Sequence, residues 1–361
     1  MDVSLGTVLV VGGCGCVGFH VVKALLDDSS SSSIHVFSRS PYRNLLPHVQ
    51  YHAGSLTSLS DIQDVLQNVK PTVIFHVASP LSSGNTANNK LFYDTNVQGT
   101  KYLLDCARNL QSVKAFVYTS SSSVVQEPYR SVTEERPLIV GTSGSNYYST
   151  SKALADDLVL KANDPVEGFR TVCLRISGVY GERDNQMIPG TLKVLHDKRQ
   201  HLQLGTNTSL FDFVSATNAA SAHLLAAKAL LRSMKDPKAP KVDGEAFFIT
   251  DGRPVFFWDF SRKIWSAAGD RTPKESIKVV PAWFVLGLAI TVEWLYWIFT
   301  FGQRTPEFLR SHTIRWVTSE RTFSIEKARQ QLGYKPVDNM EQSIQDGVKW
   351  YKQQESETKA P

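Results

Sequence analysis

The stretch TVLVVGGCGCVG, residues 7–18, decides the fold. An apolar, β-branched run, Thr7–Val11, stops at a cluster of glycines, and an apolar segment of helical period, Val17–Leu26, follows at once. That order reads as a buried strand, a tight turn and a helix. Gly12, Gly15 and Gly18 fall three residues apart, where missing side chains let the chain turn, admit a pyrophosphate and pack the helix on the strand. The motif is weak evidence by itself and strong between a strand and a helix, which is its context here. Gly12, Gly15, Cys16, Val17 and Gly18 are therefore expected to cradle a dinucleotide, with Cys14 and Cys16 as small fillers.

Outward from this unit, short apolar runs alternate with helical patterns. Ile34–Phe37, Val73–Val77, Ala115–Thr119 and Thr171–Arg175 read as strands, and Leu59–Val69 and Leu91–Leu110 as helices. The expected fold is α/β, a Rossmann-type doubly wound parallel sheet with a smaller C-terminal substrate lobe. Residues 1–180 are expected to form the dinucleotide-binding domain, 181–320 mainly the substrate lobe, and 321–361 C-terminal helices. The serine run Ser29–Ser33 reads as a flexible surface loop. Ser324–Leu332 reads as a helix capped by Ser324 and closed by Gly333.

Composition removes several classes. With 42% hydrophobic and 20% charged residues among 361, the chain can bury enough apolar surface to offset the entropy of ordering, which excludes disorder. Lys and Arg number 39 against 34 Asp and Glu, a net charge of +5 without a basic stripe, so no nucleic-acid partner is expected. Cys14, Cys16, Cys106 and Cys173 are too scattered for a disulfide scaffold and lack zinc spacing, which points to a reducing compartment. No metal site is expected: the histidines contain no HExxH pair, and His76 reads as a strand-end residue. The N-terminus has no basic region before its apolar run, so no signal peptide is expected and the Asn207-Thr208-Ser209 sequon is expected to be idle.

The segment VVPAWFVLGLAITVEWLYWIFTF, residues 279–301, stands apart with one charge, Glu293, in 23 residues. It is long enough for a bilayer core of about 30 Å. Trp283, Trp294 and Trp297 supply interfacial rings, while Glu293 argues against a full span. A monotopic or re-entrant membrane contact, a helix buried in the second lobe and a span all remain open.

The chemistry gathers at three places. The second strand ends in Ser38-Arg39, where an NAD site commonly carries a carboxylate for the adenosine ribose. A serine and an arginine suit a 2′-phosphate, so NADP is favoured over NAD. Tyr148 and Lys152 lie four apart, one helical turn. A phenol with a pKa of about 10 is a poor base at neutral pH, and a neighbouring ammonium stabilises its phenolate and can hold the nicotinamide ribose. Upstream, Ser120 and Ser121 end a strand, so either hydroxyl could sit beside the phenol and orient a substrate oxygen.

The glycine loop, FHVASP at 75–80, NVQGT at 96–100, YTSS at 118–121 and Tyr147-Tyr148 with Lys152 together resemble the extended short-chain dehydrogenases. More narrowly, LRISGVYG at 174–181, FDFV at 211–214, GEAFFIT at 244–250 and FWDF at 257–260 resemble the 3β-hydroxysteroid dehydrogenase group. Within it the chain is similar to the sterol-4α-carboxylate 3-dehydrogenase (decarboxylating) branch, as a divergent, fungal-type paralogue. The resemblance implies NAD(P)-dependent oxidation of a 3β-hydroxyl on a 4-carboxysterol or triterpenoid, followed by decarboxylation, the chemistry of carbon-4 demethylation. It implies Tyr148 as base, Lys152 as its support, Ser121 or Ser120 on the substrate oxygen, and Asn96 positioning the central helix or a relay water. Ala78 is implied beside the cofactor. A place at the cytosolic face of the endoplasmic-reticulum membrane, or on a lipid droplet, is implied too, with partner enzymes of a demethylation pathway and a homodimer as further expectations.

Ser38, Gly54-Ser55 and Arg175-Ile176 depart from the family's usual Asp, Gly-Asp and Arg-Pro. A same-fold reductase or epimerase, and a non-catalytic cofactor-binding scaffold, are the competing classes. The aromatic residues Phe247, Phe248, Phe256, Phe257 and Trp258 favour an apolar ligand over a nucleotide sugar.

Overall fold

The computed structural model describes residues 3–81, 89–140, 146–301, 306 and 309–359. Seven parallel strands form the central sheet: β1 (Gly6–Val11), β2 (Ser31–Ser38), β3 (Gln50–Ala53), β4 (Val73–His76), β5 (Ala115–Ser121), β6 (Arg170–Ile176) and β7 (Glu245–Ile249). Their spatial order is β7-β6-β5-β4-β1-β2-β3, with the direction of winding reversing between β1 and β4. A crevice opens at such a switch point, at the carboxyl ends of the strands.

Strand alternation sends Val8 and Val10 of β1 to one face and Leu9 and Val11 to the other, and all four are buried. A parallel sheet needs both faces covered. On one face lie α1 (Cys16–Asp28) and a long helix, Ala216–Ser233, and on the other α2 (Leu59–Val69), α3 (Gly99–Arg108) and α4 (Tyr147–Lys161). The doubly wound sheet is thus as expected, but it does not stop at residue 180. β7 returns from the second half of the chain to pair with β6, Phe247 beside Leu174, and the helix Ala216–Ser233 belongs to the same core.

Three local readings change. Ser31–Ser33 do not form a loop: they start β2, with Ser31 and Ser33 in register with Gly6 and Thr7. The ladder is made by backbone groups, so serines are tolerated where the strand leaves the core. The segment read as one helix over Leu91–Leu110 is a short helix, Asn89–Phe92, a π-helical turn, Tyr93–Gln98, and α3. Hydrophobic spacing does not register one inserted residue. Near the C-terminus the helix begins at Glu326 instead of Ser324, whose hydroxyl accepts from the Glu326 N–H at 3.3 Å, and Gly333 closes it with φ of 68°.

The apolar segment is mostly one helix, α5 (Ala282–Thr300). It is not buried in the second lobe. Ala289 is its one buried residue, and Trp283 and Phe299 are 75% and 78% exposed. Nineteen residues of helix reach about 28 Å, enough by length and composition for a bilayer core. Glu293 is not stranded on it. Its two carboxylate oxygens accept from the Ser311 N–H at 2.8 Å and the Ser311 hydroxyl at 2.7 Å, at the start of α6 (Ser311–Thr318).

Candidate active site

β1 ends at Val11, and Gly12 turns the chain with φ of +89°. A Cβ there would stand 2.7 Å from the backbone of Ala78, and one on Gly18 would stand 2.2 Å from the Gly12 carbonyl oxygen. Glycine is therefore required at both positions for the loop to close against β4 and α1. The first turn of α1 holds no acidic residue and no side-chain cap, which leaves its N–H groups for an anion. This cradle, which side chains would fill, fits a dinucleotide pyrophosphate. Burial raises the Cys14 and Cys16 thiols above their ordinary range, as expected of inert fillers.

Helix α4 begins at Asn146, whose side-chain oxygen accepts from the Ser149 N–H at 2.8 Å. This cap sets the helix so that Tyr148 and Lys152 fall on one side. Lys152 is buried, donates to the Thr119 carbonyl, and holds its Nζ 4.3 Å from the Tyr118 ring centroid. Desolvation pulls its ammonium down to about 7, with the Asp156 carboxylate acting against it. Desolvation raises the Tyr148 phenol, and a hydrogen bond with the Ser121 side chain opposes that rise. Tyr148 is thus a phenol held by a serine, one helical turn from a buried lysine.

The two serines separate cleanly. Ser149 donates to the Ser123 hydroxyl at 2.9 Å, and Ser123 meets Ser121 at 2.9 Å, a row of hydroxyls leading to the phenol. Ser120, named as the alternative, donates instead to Asp156 Oδ2 at 2.5 Å. Asp156 is fully buried and is gripped by Arg175 through Nη2 at 2.9 Å and Nε at 3.2 Å. Both serines line the cavity, but Ser120 is taken up by Asp156, whereas Ser121, the last residue of β5, bonds to the phenol.

Asn96 sits in the π-helical turn and braces Tyr148 from behind. Its Nδ2 donates to Ser151 at 2.9 Å, and Ser151 donates to the Tyr148 carbonyl at 2.9 Å. Its own carbonyl accepts from Thr100, which also meets His76 Nε2 at 2.9 Å. Burial, with the Lys152 charge beside it, lowers His76 to about 3, so it is a neutral framework residue. Ser38 and Arg39 lie at the end of β2, where no carboxylate follows the strand. Part of the Ser38 hydroxyl's capacity goes to the Cys14 thiol.

A cavity of about 1470 Å³ joins these parts, lined by Gly12, Gly15, Cys16, Val17, Gly18, Ser121, Tyr148 and Lys152. Ser38, Arg39, Ala78 and Asn96 stand outside its walls. The far wall is apolar, built from Phe92, Ile139, Met187, Phe211, Phe213 and Trp316. Phe92 meets the Tyr148 ring edge-on at 5.8 Å, and Phe211 lies 5.3 Å from Trp316. The aromatic residues expected to make this wall do not. Phe247 and Phe248 are locked inside the sheet, and Phe257 and Trp258 line a separate cavity of about 140 Å³. Asn146 was missed in the sequence although an Asn at an N-cap position signals it. Phe92, Met187 and Trp316 carried no such signal.

The fold is that of an extended short-chain dehydrogenase. The chain belongs to the 3-beta hydroxysteroid dehydrogenase/isomerase family, whose sequence profile matches residues 9–279. It is 36% identical to the decarboxylating sterol-4-alpha-carboxylate 3-dehydrogenase of Gibberella zeae over 301 residues, 82% of this chain and 96% of that protein. The Mus musculus protein of the same name is 31% identical over 93% of this chain and 88% of its own length. Among solved structures, the dTDP-glucose 4,6-dehydratase DesIV of Streptomyces venezuelae, with NAD bound, superposes with a TM-score of 0.70 at 21% identity, covering 97% of this chain and 98% of that one. The UDP-glucuronic acid 4-epimerase of Bacillus cereus, in complex with NAD, gives 0.69 at 18% identity over 96% and 99%. These two likenesses speak for the fold.

The serines are expected to behave differently on substitution. Ser121→Ala should lower turnover with little change in melting temperature. Ser120→Ala should leave a buried carboxylate short of a donor and cost about 1–3 kcal/mol in denaturant unfolding.

Proposed function

We propose that this chain oxidises the 3β-hydroxyl of a 4-carboxysterol or a 4-carboxytriterpenoid, using NADP or NAD, and that carbon dioxide is lost from the resulting ketone. The single observation that carries the reading is the Tyr148–Ser121–Lys152 group, set in the cavity that joins the glycine cradle to the aromatic side chains Phe92, Phe211 and Trp316. The relatives' names give the substrate class and the dinucleotide-bound fold neighbours give the cofactor class.

Ser121 donates to the C3 oxygen and fixes it beside the phenol. Tyr148, as phenolate, takes the hydroxyl proton, and the Lys152 ammonium stabilises the phenolate until then. A nicotinamide dinucleotide held by the glycine cradle would supply the acceptor for the hydride of carbon 3. The product is a β-keto acid. When its carbon–carboxyl bond breaks, carbon dioxide departs and the electron pair moves into the adjacent ketone as an enolate; the proton that Tyr148 took from the hydroxyl returns to the enolate oxygen, and the enol tautomerises to the neutral ketone, so no further catalytic side chain is needed.

NADP is the preferred cofactor in this reading, because Ser38 and Arg39 can pair with a 2′-phosphate and no carboxylate stands there to repel it. We place the chain at the cytosolic face of the endoplasmic-reticulum membrane or on a lipid droplet, with α5 lying in the interface. The exposed Trp283, Trp294 and Trp297 support this, since such rings settle at headgroup level. Partner enzymes of carbon-4 demethylation, and a second copy of the chain, would meet it on that surface.

Tyr148→Phe should lower kcat roughly 100- to 10,000-fold while leaving dinucleotide affinity intact. Mass spectrometry of the ketone formed from a 4-carboxysterol checks it, and full activity would refute the assignment. Ser38→Asp should shift the NADP-to-NAD ratio of kcat/KM toward NAD by at least tenfold, about 1.4 kcal/mol. Vesicle flotation of the intact chain should lose the protein when Trp294, Trp297 and Phe299 are changed together to serine.

A further inference from the structure

The cavity holds a charge that the chemistry at Tyr148 does not use. Arg321 opens the short strand Arg321–Phe323, in register with Tyr129 on one side and Phe211 on the other. Its side chain is 13% exposed, and its guanidinium carbon lies 4.7 Å from the Tyr129 ring centroid and 5.5 Å from that of Trp316. Two aromatic faces orient the guanidinium plane and leave its edge for a planar acceptor.

That edge is thinly partnered. Glu127 Oε1 stands 3.7 Å from Nη2, beyond hydrogen-bond reach, on a side chain 69% exposed. Tyr129 provides a side-chain hydrogen bond, and the buried Nε has no partner. A guanidinium stays charged and presents five N–H groups, so a buried one left in this state is costly until an acceptor arrives. The other arginines of the cavity wall, Arg310 and Arg315, are exposed to water, and Lys152 is taken up by the Thr119 carbonyl.

Arg321 also acts, through His312, on the cap of the helix that carries Tyr148. His312 Nε2 lies 3.3 Å from Nδ2 of Asn146, the cap of the helix that carries Tyr148, and the Arg321 charge acts on His312. Asn146, Tyr148, His312 and Arg321 all line the one cavity.

We propose that Arg321 determines specificity by pairing with the carboxylate of the substrate, so that the site selects a 4-carboxysterol over the neutral sterol. The inference rests on the reaction proposed above and names how the substrate's charge is recognised. It also accounts for release. Once the carbon–carboxyl bond breaks and carbon dioxide leaves, the ketone carries no charge and loses its partner on Arg321.

The test compares two substrates in the intact protein: a 4-carboxysterol and the same 3β-hydroxysterol without the carboxylate. In Arg321→Met the ratio of their kcat/KM values should fall roughly 30-fold or more, mainly through KM for the acid. Arg321→Lys should recover part of that ratio. General damage to the fold lowers both rates and cancels in the ratio. An unchanged ratio in Arg321→Met overturns the role of Arg321 and leaves the reaction standing. Wild-type protein that oxidises neither sterol overturns the reaction, and this inference with it.

Discussion

The carboxylate of Asp156 is the constraint on which the site depends. It lies fully buried where β5, β6 and α4 meet, and an anion in such a place survives only if it is paired and hydrogen-bonded. Arg175 reaches it from β6 with two donors, and Ser120 from β5 with a third. One turn earlier on α4, Lys152 also needs a negative neighbour, because burial drives it toward the neutral amine and Asp156 acts against that drive. One carboxylate therefore joins two strands to the catalytic helix and offsets two buried cations. Arg175 also meets the Phe248 ring, so β7 is drawn into the same arrangement.

Around that centre the phenol is held by its backbone as much as by its side chain. Asn146 caps the helix in front of Tyr148, and Asn96 reaches its carbonyl through Ser151. Asn96 can do so because the π-helical turn carries it toward α4, and widened turns of this kind recur at functional sites. The cofactor cradle meets the same group at the switch point of the sheet, where β1 and β4 part. Fold topology thus brings together residues that are about 130 positions apart in the chain.

What could be read from the sequence follows the range of the forces involved. Leu59–Val69 was legible to the residue, because apolar spacing is a local signal. The glycine loop, Tyr148 and Lys152 were legible for the same reason: spacing alone places them. The choice between Ser120 and Ser121 was not, since it depends on a distant carboxylate, Asp156, that takes up the Ser120 hydroxyl and leaves Ser121 to the phenol. The substrate wall was not legible either. It draws Phe92, Met187, Phe211 and Trp316 from distant segments, three of them from three separate helices and Phe211 from a strand of two residues that leaves little periodicity. Arg321 looks like any surface cation in sequence, and only the register of its strand against Tyr129 buries it.

Glu293 shows how one such ambiguity resolves. As a lone carboxylate in an apolar run, it counted against a membrane span. Both of its oxygens are instead taken up by Ser311, which starts α6, and α6 supplies His312, Thr313, Arg315 and Trp316 to the cavity wall. The exposed apolar helix is therefore fastened, through one charged hydrogen-bonded pair, to the wall of the site. If α5 rests in a lipid interface, as proposed, that wall stands next to the phase in which a sterol dissolves. The apolar side of the cavity and the apolar face of α5 then serve one end, since a substrate that never enters bulk water avoids the cost of hydrating its rings.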